Sequence, residues 1–236
     1  MKPQYESVFV ENLFDKMSGS YSRMNYISSF GFSERWRRQC VNEIDLTKSA
    51  VIVDLLTGMG ECWKYIDKAA NKDAKIIGLD FSTEMIKQAR TNVFKFEPRL
   101  IEVLRENVFE NTIKNNSADA VISGFGLKTF NDHQIIKLGK EVERILKTGG
   151  KFSFIDVSIP NNKLLKLFYT LYLKNVIPIL GKIFLGNPEV YRMLGVYTSD
   201  FKNSKNIEKL FRGLNFEVEY VEYFFGCATG IKGYKK

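Results

Sequence analysis

Histidine is nearly missing from this chain of 236 residues: His133 is the only one. The three cysteines, Cys40, Cys62 and Cys227, stand far apart, and no pair has metal-ligand spacing. A zinc site and a disulfide framework are excluded on that ground, so no metal is expected and a reducing cytoplasm fits. The opening residues, Met-Lys-Pro-Gln-Tyr-Glu, contain no apolar signal core, so export is not expected. Internal repeats, low-complexity tracts and Pro/Gly-rich linkers are lacking as well, which leaves no seam for a domain boundary. One domain over residues 1–236 is the expectation. With 44% hydrophobic and 26% charged residues, the chain has the apolar content to bury a core, and disorder is excluded as its general state.

Acidic residues are outnumbered, giving a formal charge of +8. The lysines and arginines are nevertheless spread along the whole chain, with no RNA-recognition signature and no finger pattern. No nucleic-acid partner is expected; anionic headgroups or acidic substrates suit a generally basic surface better. The longest apolar stretch, Leu164 to Leu185, carries Lys166, Lys174 and Lys182 and is broken by Pro178. Each charge at mid-bilayer costs about 2.5–3.5 kcal/mol, so the stretch is not expected to span. It reads as an apolar helix pair that covers a site or makes peripheral membrane contact.

Short apolar runs alternate with helical patterns, as in βαβ units. Strands are predicted at 50–56, 75–80, 100–104, 119–123 and 151–157, with helices at 61–70, from Ser82 to about Asn92, and 134–146. Gly149-Gly150 is expected to end the last of these helices. A closing helix at 204–214 precedes two strands at 216–225 and 227–234. The fold class is α/β: a Rossmann-like, doubly wound, seven-stranded sheet, mostly parallel with an antiparallel terminal strand. Residues 5–46 look helical and aromatic, a cover over the carboxyl edge where such sheets bind ligands.

The loop Asp54-Leu-Leu-Thr-Gly58-Met59-Gly60-Glu61 delivers a strand into a helix through two residues without side chains, so a ligand can approach the backbone. A dinucleotide loop wants a third glycine, but Trp63 stands there, and acidic Glu61 would repel a phosphate while welcoming a cationic amino-acid group. S-adenosylmethionine (SAM) carries an ammonium and a sulfonium and no phosphate. Asp80, followed by Phe81, ends the next strand about twenty residues on, where a carboxylate grips two ribose hydroxyls. Asn107-Val108 after strand three is placed to read an adenine edge, and Ser123 ends strand four. A nicotinamide dehydrogenase is the competing reading of the same loop.

Tyr21-Ser-Arg-Met-Asn25 followed by Trp36-Arg37, Phe125-Gly-Leu-Lys128, Glu141-Val-Glu-Arg144…Gly149-Gly150 and Ile177-Pro178-Ile-Leu-Gly181 together resemble the ubiquinone/menaquinone biosynthesis C-methyltransferases of the UbiE type, nearly end to end. The resemblance implies SAM as cofactor and methyl transfer to a ring carbon of a prenylated quinol. The chain departs from the family at Met59, where a threonine is usual, at Ser22, an aspartate, and at Lys128-Thr129, an Arg-Asn pair beside the reacting ring. Lysine keeps the charge but not the planar fork.

On this reading residues 1–48 are the helical cover, 49–158 the SAM-binding core, 159–202 the acceptor-site insert and 203–236 the closing helix and strand pair. Lys128 and Thr129 are the candidate catalytic residues, Lys128 as a cation favouring a phenolate. Tyr21 is expected to close over SAM. Tyr169, Tyr172 and Tyr191 are candidate walls for a small, apolar or aromatic acceptor, which a prenyl tail would suit. His133 reads as a surface histidine, Asp132 as a helix cap and the cysteines as small core residues. Two further functions stay open: a divergent natural-product methyltransferase acting on carbon, oxygen or nitrogen, and a SAM-binding module without turnover.

Overall fold

A computed structural model describes residues 3–177, 179 and 188–236, with the side chains at 173, 174 and 188–191 outside that description. Three helices come first: α1 (Ser7–Met17), α2 (Tyr21–Ser28) and α3 (Phe32–Asn42). The alternating part follows as β1 (Val51–Leu55), α4 (Trp63–Ala69), β2 (Lys75–Asp80), α5 (Thr83–Val93), β3 (Ile101–Arg105), β4 (Ala118–Gly124), α6 (Asp132–Ile145) and β5 (Leu146–Val157). Then come α7 (Lys163–Leu171), α8 (Pro188–Phe201), α9 (Lys205–Arg212), β6 (Phe216–Tyr223) and β7 (Ala228–Lys235). Pro178 and most of the second half of the 164–185 stretch lie outside the described residues.

The seven strands form one sheet in the order β3-β2-β1-β4-β5-β7-β6. β7 runs antiparallel to both neighbours, and the other pairings are parallel. The chain's last strand is thus inserted between β5 and β6 rather than added at the edge. The order reverses between β1 and β4, so the carboxyl ends of β1, β2 and β4 open a crevice there.

Two apolar layers cover the sheet. On one face α6 and α9 pack over Phe152, Phe154 and Phe216. Phe211 of α9 sits within ring contact of all three, at centroid distances of 5.5–5.9 Å. On the other face α3 and α4 bring Trp36, Cys40, Trp63 and Ile66 against Ile52, Ile76 and Ile122. Residues 1–48 therefore divide. Helices α1 and α2 lie over the carboxyl edge, where Leu13, Met17, Tyr21 and Met24 meet Met59, Met85 and Tyr197. Helix α3 instead belongs to a layer on the sheet, with the Cys40 Sγ 3.4 Å from Ser153 Oγ.

Two local expectations are corrected. Helix α6 ends at Ile145, not at Gly149-Gly150, because Leu146 already pairs with Ala118. The pair sits where the β4–β5 register shifts, and Gly149 supplies the positive φ of 76° that this irregularity needs. The cap of α6 is Asn131, not Asp132: its side chain accepts from Gln134 N and the Gln134 side chain returns the bond, a capping box. Asp132 accepts from Asn206 instead.

Phe211 is fully buried among three rings, so Phe211→Ala should lower unfolding free energy by about 3–5 kcal/mol. Urea titration followed by circular dichroism measures this; a loss below about 1 kcal/mol would mean the ring cluster does not hold α9 to the sheet.

Candidate active site

The loop leaving β1 turns sharply, with Leu56, Gly58 and Gly60 all at positive φ. Gly58 N donates to Asp80 Oδ2 at 2.9 Å and Ser82 N to Asp80 Oδ1 at 3.0 Å, so Asp80 ties the first loop to the start of α5. Ser82 caps α5, its Oγ accepting from Met85 N. Burial raises the Asp80 carboxyl to about 6, against the lowering effect of its backbone N–H donors.

Gly58 lines the crevice, and a Cβ there would stand 2.9 Å from a Glu61 carboxylate oxygen. Gly60 does not line it. Its φ of 85° and the Trp63 ring, 2.4 Å from where a Cβ would be, account for that glycine. Met59, Asp54 and Ser123 also lie off the cavity wall. Met59 packs against Tyr21 and Met85 in the third apolar cluster. Asp54 lies beneath the loop, held by the Thr57 hydroxyl at 2.5 Å, with Oδ1 lacking a partner. Burial raises its carboxyl to about 7. Ser123 is buried under α3, where its carbonyl accepts from Cys40 Sγ.

Over the carboxyl edge a cavity is lined by Tyr21, Gly58, Asp80, Phe81, Asn107, Val108 and Thr129, all seven singled out from sequence. Asn107 Oδ1 accepts from Phe109 N, which fixes the amide. Glu61, read from sequence as the group that welcomes a cationic tail, lines it too, and so do Arg37 and Phe125, to which the sequence reading gave no place in this cavity. Arg37 is buried, 3.7 Å from the Glu61 carboxylate and bonded to Glu34. Burial is the largest influence and works to lower its affinity for the proton, but Glu61, Tyr21, Cys62 and Glu34 together outweigh it and the guanidinium is raised overall. Glu61 also accepts from Met59 N at 2.9 Å and from the Ser22 hydroxyl at 3.3 Å. An aspartate at position 22 would set two carboxylates against each other. The pairing of Trp36-Arg37 in the N-terminal motif was the available signal for Arg37.

A second, larger cavity of about 540 Å³ is mostly apolar. Tyr169 and Tyr172 line it, as expected from sequence, with Trp36, Phe168 and Phe224. The side chain of Tyr191 lies outside the described residues. Tyr21 and Phe125 line both cavities, so the two meet at these rings. Burial, then Glu61, holds the Tyr21 phenol well above its ordinary range, so it stays a neutral hydroxyl.

Lys128 and Thr129, adjacent in sequence, face different cavities: Lys128 lines the larger, Thr129 the smaller. Lys128 is buried, not an exposed loop lysine. Its ammonium donates to Asp156 Oδ1 at 2.7 Å and to Phe125 O at 3.0 Å, while its backbone N–H donates to Asp156 Oδ2 at 2.9 Å. The Thr129 hydroxyl donates to Gly126 O at 2.7 Å. His133 is exposed at the start of α6. All three cysteines are buried free thiols, and burial raises Cys40 to about 12 and Cys227 to about 11.

The Asp54 carboxyl yields a pH prediction. An unfolded aspartate loses its proton near pH 4, whereas folded Asp54 keeps it to about 7. Between those values the unfolded chain binds fewer protons, so this group's contribution to stability is present below about pH 4 and is lost as pH rises through about 7. The stability of the natural chain minus that of Asp54→Asn should fall as pH rises over this window, by at most about 1.4 kcal/mol per pH unit, and then level off. Denaturant midpoints across pH measure it; a constant difference means that Asp54 is already ionised.

The model of the ubiE/COQ5 methyltransferase family matches residues 1–235. The demethylmenaquinone methyltransferase of Lactococcus lactis is 33% identical over 219 residues, 92% of this chain and 86% of that protein. The protein of the same name from Listeria welshimeri is 29% identical over 96% of each chain. In fold, the chain is similar to a SAM-dependent methyltransferase from Aquifex aeolicus (TM-score 0.60, 17% identity, 85% of this chain and 89% of that one). It is also similar to the mitomycin 7-O-methyltransferase (TM-score 0.63, 15% identity, 94% and 60%). The chain belongs to the ubiE/COQ5 methyltransferase family and is a SAM-dependent methyltransferase.

Proposed function

We propose that this enzyme methylates a ring carbon of a demethylated, prenylated quinol, with SAM in the smaller cavity and the quinol in the larger. The observation that carries this reading is the junction of the two cavities at Tyr21 and Phe125, with the buried Lys128 ammonium on the acceptor side. The names of the relatives from Lactococcus and Listeria support the acceptor class. The apolar lining of the larger cavity supports a prenyl tail.

The donor set of the smaller cavity fits SAM. Each Asp80 oxygen accepts one backbone N–H and keeps a lone pair, enough for two ribose hydroxyls. Asn107 and Val108 lie where an adenine edge would be read. Arg37 and Glu61 stand side by side, a cation and an anion suited to the carboxylate and ammonium of an amino-acid tail. Asp54, Met59, Gly60 and Ser123 support the loop and strand ends from behind.

When bound, SAM supplies an electrophilic methyl group. The protein's own work is alignment and charge. Two of the three Lys128 N–H donors are engaged by Phe125 O and Asp156, and the third is available to an acceptor oxygen. A cation there favours the phenolate, which raises electron density at the adjacent ring carbon. Thr129 closes the Gly126 carbonyl and shapes the methyl-donor side. Tyr169 and Tyr172 form part of the acceptor wall. A cytoplasmic enzyme in peripheral contact with the membrane that carries its acceptor suits this reading. Among the described residues no helix is long and apolar enough to cross a membrane.

Incubation with methyl-labelled SAM and demethylated menaquinol should label a ring carbon, read by mass spectrometry. Label only on oxygen, or only on simple phenols, would overturn the quinol reading. Asp80→Ala should weaken SAM binding about 10–100-fold by calorimetry, because charge-assisted bonds are lost. Lys128→Met should lower kcat about 100-fold or more while leaving SAM affinity within about twofold, and Lys128→Arg should retain much of the rate. Equal losses of SAM binding in Lys128→Met would remove the residue from the acceptor side.

A further inference from the structure

Three separate pieces of chain meet at the mouth of the larger cavity, and each presents apolar side chains outward. The α2–α3 turn presents Phe30, 80% exposed; the β6–β7 turn presents Phe225, 73% exposed. Helix α7 turns Leu165, Phe168 and Tyr169 toward the cavity. Leu164, Leu167 and Leu171, at spacings of three and four from one another and from Phe168, form an adjoining stripe that is also exposed, with Leu164 at 65%. Among the described residues nothing covers this stripe, so the helix is short of a partner. The pieces are continuous: Phe30 packs on Tyr172 at 5.9 Å, Phe32 on Phe224 at 4.3 Å, and Phe224 on Phe225 at 5.6 Å.

The backbone adds an independent observation. Phe30, Phe224 and Phe225 all adopt left-handed φ, at 51°, 45° and 56°. Bulky residues rarely occupy that region, and glycine would do so without strain. Aromatic rings are therefore held outward at a cost to the backbone.

Charge identifies the occupant. From Val157 to Pro188 the sequence holds four lysines and no acidic residue, and exposed Lys163 and Lys166 flank the outer leucines. Exposed Arg35 and Arg38 border the groove beside Phe30 and Phe32. Of the neighbouring carboxylates, Glu34 is taken up by Arg37, Lys64 and Tyr65, while Glu222 stays exposed and charged, one carboxylate against Lys163, Lys166, Arg35 and Arg38. Apolar side chains ringed by cations match an anionic lipid surface, with rings and leucines below the headgroups and cations among them.

We propose that this face seats the enzyme on an anionic bilayer, with the mouth of the acceptor cavity opening into the lipid. The proposal rests on the acceptor reading only for its purpose, since binding to vesicles needs no acceptor. The cavity then receives a tailed molecule sideways from the bilayer, and the tail never crosses water.

Sedimentation of the full chain with vesicles tests it. Binding to phosphatidylglycerol-containing vesicles should exceed binding to phosphatidylcholine vesicles by about tenfold or more and should weaken between about 0.1 and 0.5 M salt. The double variant L164S/L167S should lose about tenfold in vesicle binding while methylating a short-chain, water-soluble acceptor at the natural rate. F225G should bind vesicles more weakly yet melt at a higher temperature, because the strain is relieved. No preference for anionic vesicles, or binding unchanged in both variants, overturns the proposal. So does a concentration-dependent dimer that L164S/L167S abolishes, which would assign the face to a second copy. Vesicle binding without transfer to embedded quinol would leave the surface standing and remove the acceptor reading; transfer to a short-chain quinol without vesicle binding would do the reverse.

Discussion

The arrangement of both cavities depends on how Phe125 is held. It follows β4 with a φ of 73°, a costly conformation for an aromatic residue, and its ring lies between two buried cations. Arg37 stands 4.8 Å from the ring centroid, and Lys128 bonds the Phe125 carbonyl. Lys128 is in turn fixed by Asp156 at the end of β5, which is entirely buried. A buried ammonium without that carboxylate would be expelled or deprotonated, and a buried carboxylate without the lysine would be equally unstable. The pair therefore locks the segment from Gly124 to Phe130 onto β5. That segment is the partition between the cofactor and acceptor sides.

The same pair bears on chemistry. A cation compensated by a carboxylate is not a bare charge, so its effect on a phenol is gentler than sequence alone suggests. Its advantage is fixed placement: the ammonium is already desolvated and oriented, and little reorganisation is needed when charge develops nearby. On the other side of Phe125, Arg37 and Glu61 play the matching part, one opposite-charge pair within reach of each cavity. Four methionines, Met17, Met24, Met59 and Met85, pack beneath α1 and α2. Their unbranched, polarisable side chains suit a cover that must fit closely over the crevice.

Much of the fold was legible because it is written at short range. Strands β1 and β2 are largely apolar runs that carry Asp54 and Asp80 at or next to their ends, and each is followed by a helix whose period is plain. Asp80 and the glycine loop could be linked because their separation of about twenty residues is set by one βαβ unit. Asn131 was also legible, since Asn-x-x-Gln is a capping box, and attention to Asp132 passed over it. The start of β5 was not: Leu146 joins the sheet because β4 offers Ala118 as a partner, and no local pattern carries that register.

By itself, then, the sequence determined the class of sheet, the crevice and the residues of its nucleoside end, because these follow from periodicity, strand ends and loop chemistry within a few tens of residues. Only the tertiary structure decided which charges are paired. Lys128 with Asp156 and Arg37 with Glu61 are partners 28 and 24 residues apart on different elements, and side-chain pairing across elements has no period to read. It also decided that Lys128 and Thr129 part company, since one turn of backbone sends successive side chains to opposite sides of a wall.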